Sequence, residues 1–189
     1  MHGVSALFLI GERGTIMKAY TQEEQIQGMM KRPIPKKKIG IVHLEMVKES
    51  RSLYGMKRMG TPGAAVEMVR PLVERADREM LLVLSLDIRL EPMAMEIAAV
   101  GGLYSCQVDI RSVFKHAILN NGAYVICIHN HPSGSCEPSG EDRKLTGRLA
   151  EAGKLLGIPV MDHIIIGEEG NYRSMAEMGL LENRFEEAG

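Results

Sequence analysis

Tryptophan is absent from the 189 residues and aromatic residues amount to only 4%, while methionine occurs 14 times; this bears on packing more than on function. There are three cysteines, Cys106, Cys127 and Cys136. Their spacing suits neither a disulfide framework nor a Cys-x-x-Cys zinc knuckle, so a reduced, cytoplasmic setting is expected. Charge of one sign is also missing. The formal net charge is -1, which leaves no global field to draw the chain to nucleic acid. No apolar run approaches the length of a transmembrane helix. The opening MHGVSALFLIG is short and lacks a preceding basic segment, so it makes a poor secretory signal, and a soluble protein with no membrane partner is expected. Several zinc and phosphate motifs are missing too. HEXXH, the H-x-E with P-C-x-x-C pair of nucleobase deaminases, and a Walker-type glycine loop do not occur.

What is present centres on Ala123 to Asp142, AYVICIHNHPSGSCEPSGED. An apolar run, Tyr124 to Ile128, delivers His129 and His131. Residues two apart on a strand share a face, so both imidazoles can reach one point. After Pro132 the text becomes loop-like, and Ser139 then opens a helical pattern with Asp142 three residues on. Two nitrogens and one carboxylate, with a fourth position left to water, form the donor set of a catalytic zinc. Taken singly, each part has a bland explanation. Paired histidines at a strand end are more often surface or turn residues, and Ser-x-x-acid is most often a helix cap. The joint order of apolar strand, H-x-H-P, Gly/Ser loop and S-x-x-D favours the metal.

His129, His131, Pro132, Ser139 and Asp142 resemble the JAMM (MPN+) metalloprotease signature, H-x-H-P followed after six residues by S-x-x-D. The wider text, HNHPSGSCEPSGEDRKLTGRL with AGKLLGIPVMDHIIIG, is similar to the bacterial RadC-like branch of the JAB/MPN+ family, over about residues 61–181. The resemblance implies a cytidine-deaminase-like α-β-α arrangement, zinc on His129, His131 and Asp142, and a glutamate general base at the beginning of an earlier strand. Glu79, in DREMLLVLSLD, matches that position, with Glu96 in MAMEIAAV as runner-up. Ser139 carries two compatible roles, a helix cap and, by resemblance, a stabiliser of the tetrahedral oxyanion. Asp162 and His163 lie on a strand that should pass near the site. A hydrogen bond to a ligand is open to them, but a lone strand histidine is more often structural, and both are left out of the site. Cys136 is read as a loop residue, since three ligands already exist.

The length suits one domain plus an extension. Residues 1–38 are read as an N-terminal extension and 39–189 as the metal-binding domain. Thr21 and Glu24 can cap a short helix through Met30, and KRPIPKKK reads as a solvated basic linker rather than a phosphate-contacting arm. Met17 is an alternative start, with residues 1–16 then an upstream artefact. Ile39–Val47 reads as a strand and 48–60 as a loop. Thr61-Pro62 starts a helix bearing Ala65, Val66, Val69, Leu72 and Val73, which Pro71 should kink or end. Strands are expected over 79–88 and 93–100, then a helix capped by Asp109 with Ile110, Val113, Phe114, Ala117 and Ile118 on one face, closed by Asn120-Asn121-Gly122. The helix after the metal strand should run from Gly140 to Leu156 with Leu145, Leu149, Ala152 and Leu156 inward, followed by a strand over 160–166 and a short closing strand and helix to Leu181. The fold class is α/β (α+β), a mixed sheet flanked by helices.

Three functions fit this text. A zinc-dependent hydrolase of peptide or isopeptide bonds, acting on a peptide or protein substrate, is supported by the complete motif. A DNA repair or recombination accessory is suggested by the naming of RadC-like proteins, but the helix-hairpin-helix text that many of them carry is absent, and DNA binding is expected to be weak. A non-catalytic metal-binding interaction module is the third, and intact ligands argue against it.

Overall fold

The run MLLVLSL is apolar on both faces, which suits a strand covered on two sides rather than one. The computed structural model describes residues 58–73, 76–101 and 108–182, together with 42–45, 47 and the backbone of 9–10 and 16–17. The chain forms two compact units, Met1–Leu44 and Glu45–Gly189. In the first, β1 (Leu9–Ile10) pairs antiparallel with β2 (Ile16–Met17). The expected helix through Met30 and the basic linker lie outside the described residues.

The second unit holds α1 (Pro62–Val73), β3 (Met80–Leu86), β4 (Pro92–Val100), α2 (Ile110–Leu119), β5 (Tyr124–Asn130), α3 (Gly140–Leu156), β6 (Val160–Ile166) and β7 (Tyr172–Ser174). The sheet order is β4-β3-β5-β6-β7. Only β5 and β6 run parallel, joined through α3; the other neighbours are antiparallel. One face packs Leu82, Leu84, Ile126, Ile128 and Ile164 against Ala65, Val66 and Val69 of α1. The other packs Leu81, Val83, Val125, Cys127 and Ile165 against Val113, Phe114 and Ala117 of α2 and Leu149 of α3. This is the mixed α-β-α sheet that the pattern of elements implies. Among the described residues, no helix is long and apolar enough to cross a membrane.

Caps and turns form where the side chains dictate. Asp109 accepts from the Arg111 N–H at the start of α2. Gly157 ends α3 in the left-handed conformation, at φ 69°. The β3–β4 turn is held by Asp87, whose carboxylate accepts from the N–H groups of Arg89 and Glu91, while Leu90 takes φ 63° with its side chain fully buried.

Five expectations are corrected. Val42–Glu45 and Val47 form no strand and their apolar side chains face water, Val42 being 76% exposed; among the described residues no strand pairs with them. Pro71 lies inside the last turn of α1, which continues past it only to Val73, and Leu72 faces outward. Ile118 is half exposed, and His116 is buried on α2 in its place. On α3 the buried stripe is Asp142, Thr146, Leu149 and Gly153, whereas Leu156 is 45% exposed. That helix is turned so that its polar first turn faces the site. Finally, Met175–Leu180 forms turns rather than a helix.

Candidate metal centre

The β3–β5 ladder places His129 opposite Leu81 at the strand end, with its side chain on the α3 side of the sheet. His131 follows as β5 leaves β3, and its N–H donates to the Ile166 carbonyl at 3.1 Å. Asp142 enters through the first turn of α3. Ser139 caps that helix: its hydroxyl accepts from the Asp142 N–H (3.1 Å), and Asp142 Oδ2 accepts from the Ser139 N–H (2.7 Å) and from the hydroxyl. This reciprocal pair is a capping box. It leaves Asp142 Oδ1 facing His129 Nε2 at 3.3 Å, while Oδ2 stands 3.5 Å from His131 Nε2. The two Nε2 atoms are 3.0 Å apart. Glu79, immediately before β3, brings Oε1 to 3.9 Å from His129 Nε2. Glu79, His129, His131 and Asp142 each offer one donor atom, all within 4.8 Å of one another, and this group could hold a metal ion.

Electrostatics follow from this crowding. Burial alone would raise the Asp142 carboxyl, but the adjoining His129 and His131 rings and the Ser139 hydroxyl hold it well below the ordinary carboxylate range. The same carboxylate raises His131, against the opposing effect of burial.

Each histidine is oriented from behind. His131 Nδ1 donates to the Ser135 carbonyl at 2.8 Å, so its Nε2 presents a lone pair. His129 is held by a longer chain. The single hydroxyl proton of Thr146 goes to the Asp142 carbonyl (2.7 Å), so the hydroxyl accepts from His163 Nδ1 (2.7 Å). His163 Nε2 then accepts from His129 Nδ1 at 2.9 Å, and His129 Nε2 is left unprotonated. Burial, reinforced by the neighbouring His129, pulls His163 down to about 3, which keeps it neutral in this role.

The structure therefore gathers His129, His131, Asp142 and Glu79, with Ser139 bound to Asp142. Glu96 is elsewhere: its carboxylate stands 3.2 Å from His116 Nδ1 on the α2 side of β4. Cys136 is not in the ligand group; it packs against Gly167. His163, left out of the site on sequence grounds, touches a ligand directly, and Thr146 backs it. The signal for Thr146 was its place four residues after Asp142 on one helix face. His163 gave none beyond its strand, since its partner is 34 residues away. Asp162 belongs to a different network, accepting from Ser174 Oγ and the Ala176 N–H, and burial pushes it up to about 6 against those bonds.

A cleft of about 480 Å³ adjoins His131, walled by Arg70 and Val73 of α1, Asn130, Pro132 and the Ile166–Glu169 turn. Arg70 does not point a free charge into it. Its guanidinium donates to the carbonyls of Gly167, Gly170 and Asn171 and ties α1 to that turn.

A UPF0758 protein of Rubrobacter xylanophilus is 43% identical over 127 residues, covering 67% of this chain and 55% of its own length. Those of Methanosarcina barkeri and Salinibacter ruber are 39% and 42% identical, covering 66% and 64% of this chain and 54% and 52% of theirs. The chain thus spans about half the length of the curated relatives it matches. The sequence model of the RadC-like JAB domain matches residues 59–180, from the start of the sheet unit through the H-x-H-P and S-x-x-D segments to the closing turns, and the chain belongs to the RadC-like JAB domain family.

Proposed function

We propose that this chain is a zinc-dependent hydrolase of peptide or isopeptide bonds, with His129, His131 and Asp142 as ligands and Glu79 as general base. The supporting observation is the spacing of the donors. Atoms about 2.0–2.1 Å from a tetrahedral zinc stand roughly 3.3 Å from one another. The two imidazole nitrogens are 3.0 Å apart, Asp142 Oδ1 is 3.3 Å from His129 Nε2 and its Oδ2 3.5 Å from His131 Nε2, each near that edge when taken singly, whereas Glu79 stands off at 3.9 Å. Two nitrogen lone pairs 3.0 Å apart repel unless a proton or a metal ion lies between them, and the hydrogen bonds behind both rings aim them that way. A zinc ion bound there would lower the pKa of water towards neutrality and polarise a carbonyl oxygen.

The chain's own residues supply the rest. Glu79, 29% exposed at the rim, takes a proton from the attacking water and returns it to the leaving amine nitrogen. Ser139 sits at the α3 N-terminus, where a helix favours developing negative charge, and its hydroxyl serves the oxyanion once it turns from Asp142. The cleft beside His131 receives the chain flanking the scissile bond.

Purified protein is expected to hold about one zinc per chain, and His129→Ala or Asp142→Ala to lose most of it. Peptides cleaved by the wild type but not by Asp142→Ala, identified by proteomics, supply the substrate. On such a peptide Glu79→Gln keeps its zinc and loses about a hundredfold or more in rate, while Glu96→Gln changes little. Full zinc occupancy in both ligand variants would reject the site.

A further inference from the structure

The β3–β5 ladder stops at Leu81 opposite His129. Past that point no further β3–β5 pairs form, while His131 donates its N–H to the Ile166 carbonyl on β6. The peptide groups on either side of Glu79 are left facing β5 with no backbone partner there. The side chain of Asn130 fills the gap. Its Nδ2 donates to the Arg78 carbonyl at 3.1 Å, and its Oδ1 accepts from the Met80 N–H at 2.9 Å. On the opposite edge, the Glu79 carbonyl accepts from the Gly101 N–H at 2.8 Å. A primary amide offers a donor and an acceptor as a peptide group does, so the ladder continues through a side chain. Asn130 is buried, and an apolar residue there would strand two backbone groups. Three hydrogen bonds thus fix the backbone of Arg78, Glu79 and Met80.

We infer that Asn130, the residue between the two histidines, is a positioning residue that holds the Glu79 carboxylate at its distance from His129. It is not a ligand and it touches no reacting atom. One strand end therefore sets both halves of the site: His129 and His131 carry the ligand nitrogens, and the amide between them places the base. This rests on the proposed role of Glu79.

The full chain carrying Asn130→Ala, or the nearly isosteric Asn130→Asp, tests it. The aspartate keeps the acceptor for Met80 but sets an oxygen against the Arg78 carbonyl. Zinc affinity by chelator competition should stay within about threefold of wild type, since no contact behind a ligand is removed. In Asn130→Ala, which alone removes the acceptor, hydrogen exchange at the Met80 amide should quicken by about tenfold or more. On a peptide from the cleavage screen, kcat should fall by about tenfold or more with KM unchanged, and adding Asn130→Ala to Glu79→Gln should lower the residual rate no further. Loss of zinc as severe as in His129→Ala would overturn the inference, because Asn130 would then merely hold the strand end. So would losses that multiply in the double variant while Glu79→Gln alone shows its loss of about a hundredfold. Full activity in Glu79→Gln would instead reject the base assignment, and the positioning role with it.

Discussion

His163 shows how one residue can matter to a site without belonging to its donor set. It is fully buried, its Nε2 receives His129 Nδ1, and its Nδ1 is tied to Thr146. Partners of this kind typically cost about 10- to 100-fold in metal affinity when removed. His163→Ala should weaken zinc by that factor while Asp142 and His131 stay in place, as read by chelator competition. The same residue has an acid signature. Its value of about 3 lies below the 6.5 of an unperturbed imidazole, so the folded state binds fewer protons than the unfolded chain between those values. Stability attributable to neutral His163 is complete above about pH 6.5 and lost as pH falls towards 3. Asp162 acts in the opposite sense, since its carboxyl is raised to about 6 and its ionisation weighs on the fold as pH rises towards that value. In zinc-free protein, His163→Gln should therefore gain stability relative to wild type as the pH is lowered from about 6.5, measured by urea unfolding at several pH values. The gathering of His129, His131 and Asp142 was legible because strand period and the capping box place them by local rules. His163 was not, because what distinguishes it is a contact 34 residues away that only β5–β6 pairing creates.

At the scale of elements, α3 carries the sharpest contrast. Its two interior glycines sit in different surroundings. A methyl group at Gly147 would meet nothing within 4 Å, whereas one at Gly153 would lie 2.7 Å from the Ile158 carbonyl oxygen and 3.2 Å from the Val160 nitrogen. Both obstacles are backbone and cannot swing aside. Gly147→Ala should stabilise the protein by about 0.5–1 kcal/mol through helix propensity. Gly153→Ala should destabilise it by about 1–3 kcal/mol, because steric overlap outweighs the same gain. Denaturant midpoints of the two variants would show the opposite signs. The rotation of α3 was hidden in its sequence for the same reason. Apolar spacing favours a stripe through Leu156, but burial follows Asp142, Thr146, Leu149 and Gly153, where the helix meets the site and approaches β6. Element existence came through clearly for β3, β4, β5, β6 and the three helices. The expected strand over 39–47 did not form at Val42–Glu45 or Val47, since alternation marks a strand only when a neighbour takes its hydrogen bonds.

For the whole molecule, a metal that binds only the folded state adds stability by mass action. At a hundred times its dissociation constant, zinc should contribute about 2.7 kcal/mol. For a domain of this size that corresponds to a rise in Tm of roughly 5–10 °C. A chelator should reverse the shift, and Asp142→Ala should show none of it.

The paired register has a last consequence, for quality control during folding. His129 lies opposite Leu81 on one side and Ile165 on the other. A slip of one residue on β5 would turn its alternating side chains over and present Asn130 where His129 belongs. At the proposed site the chain would capture zinc only after long-range pairings have settled in the correct alignment, so the ion would inspect the sheet before staying in it. In a refolding experiment, uptake from a coloured zinc indicator should lag behind the recovery of far-ultraviolet circular dichroism, and misaligned molecules should stand out as folded in outline yet unable to decolourise the dye.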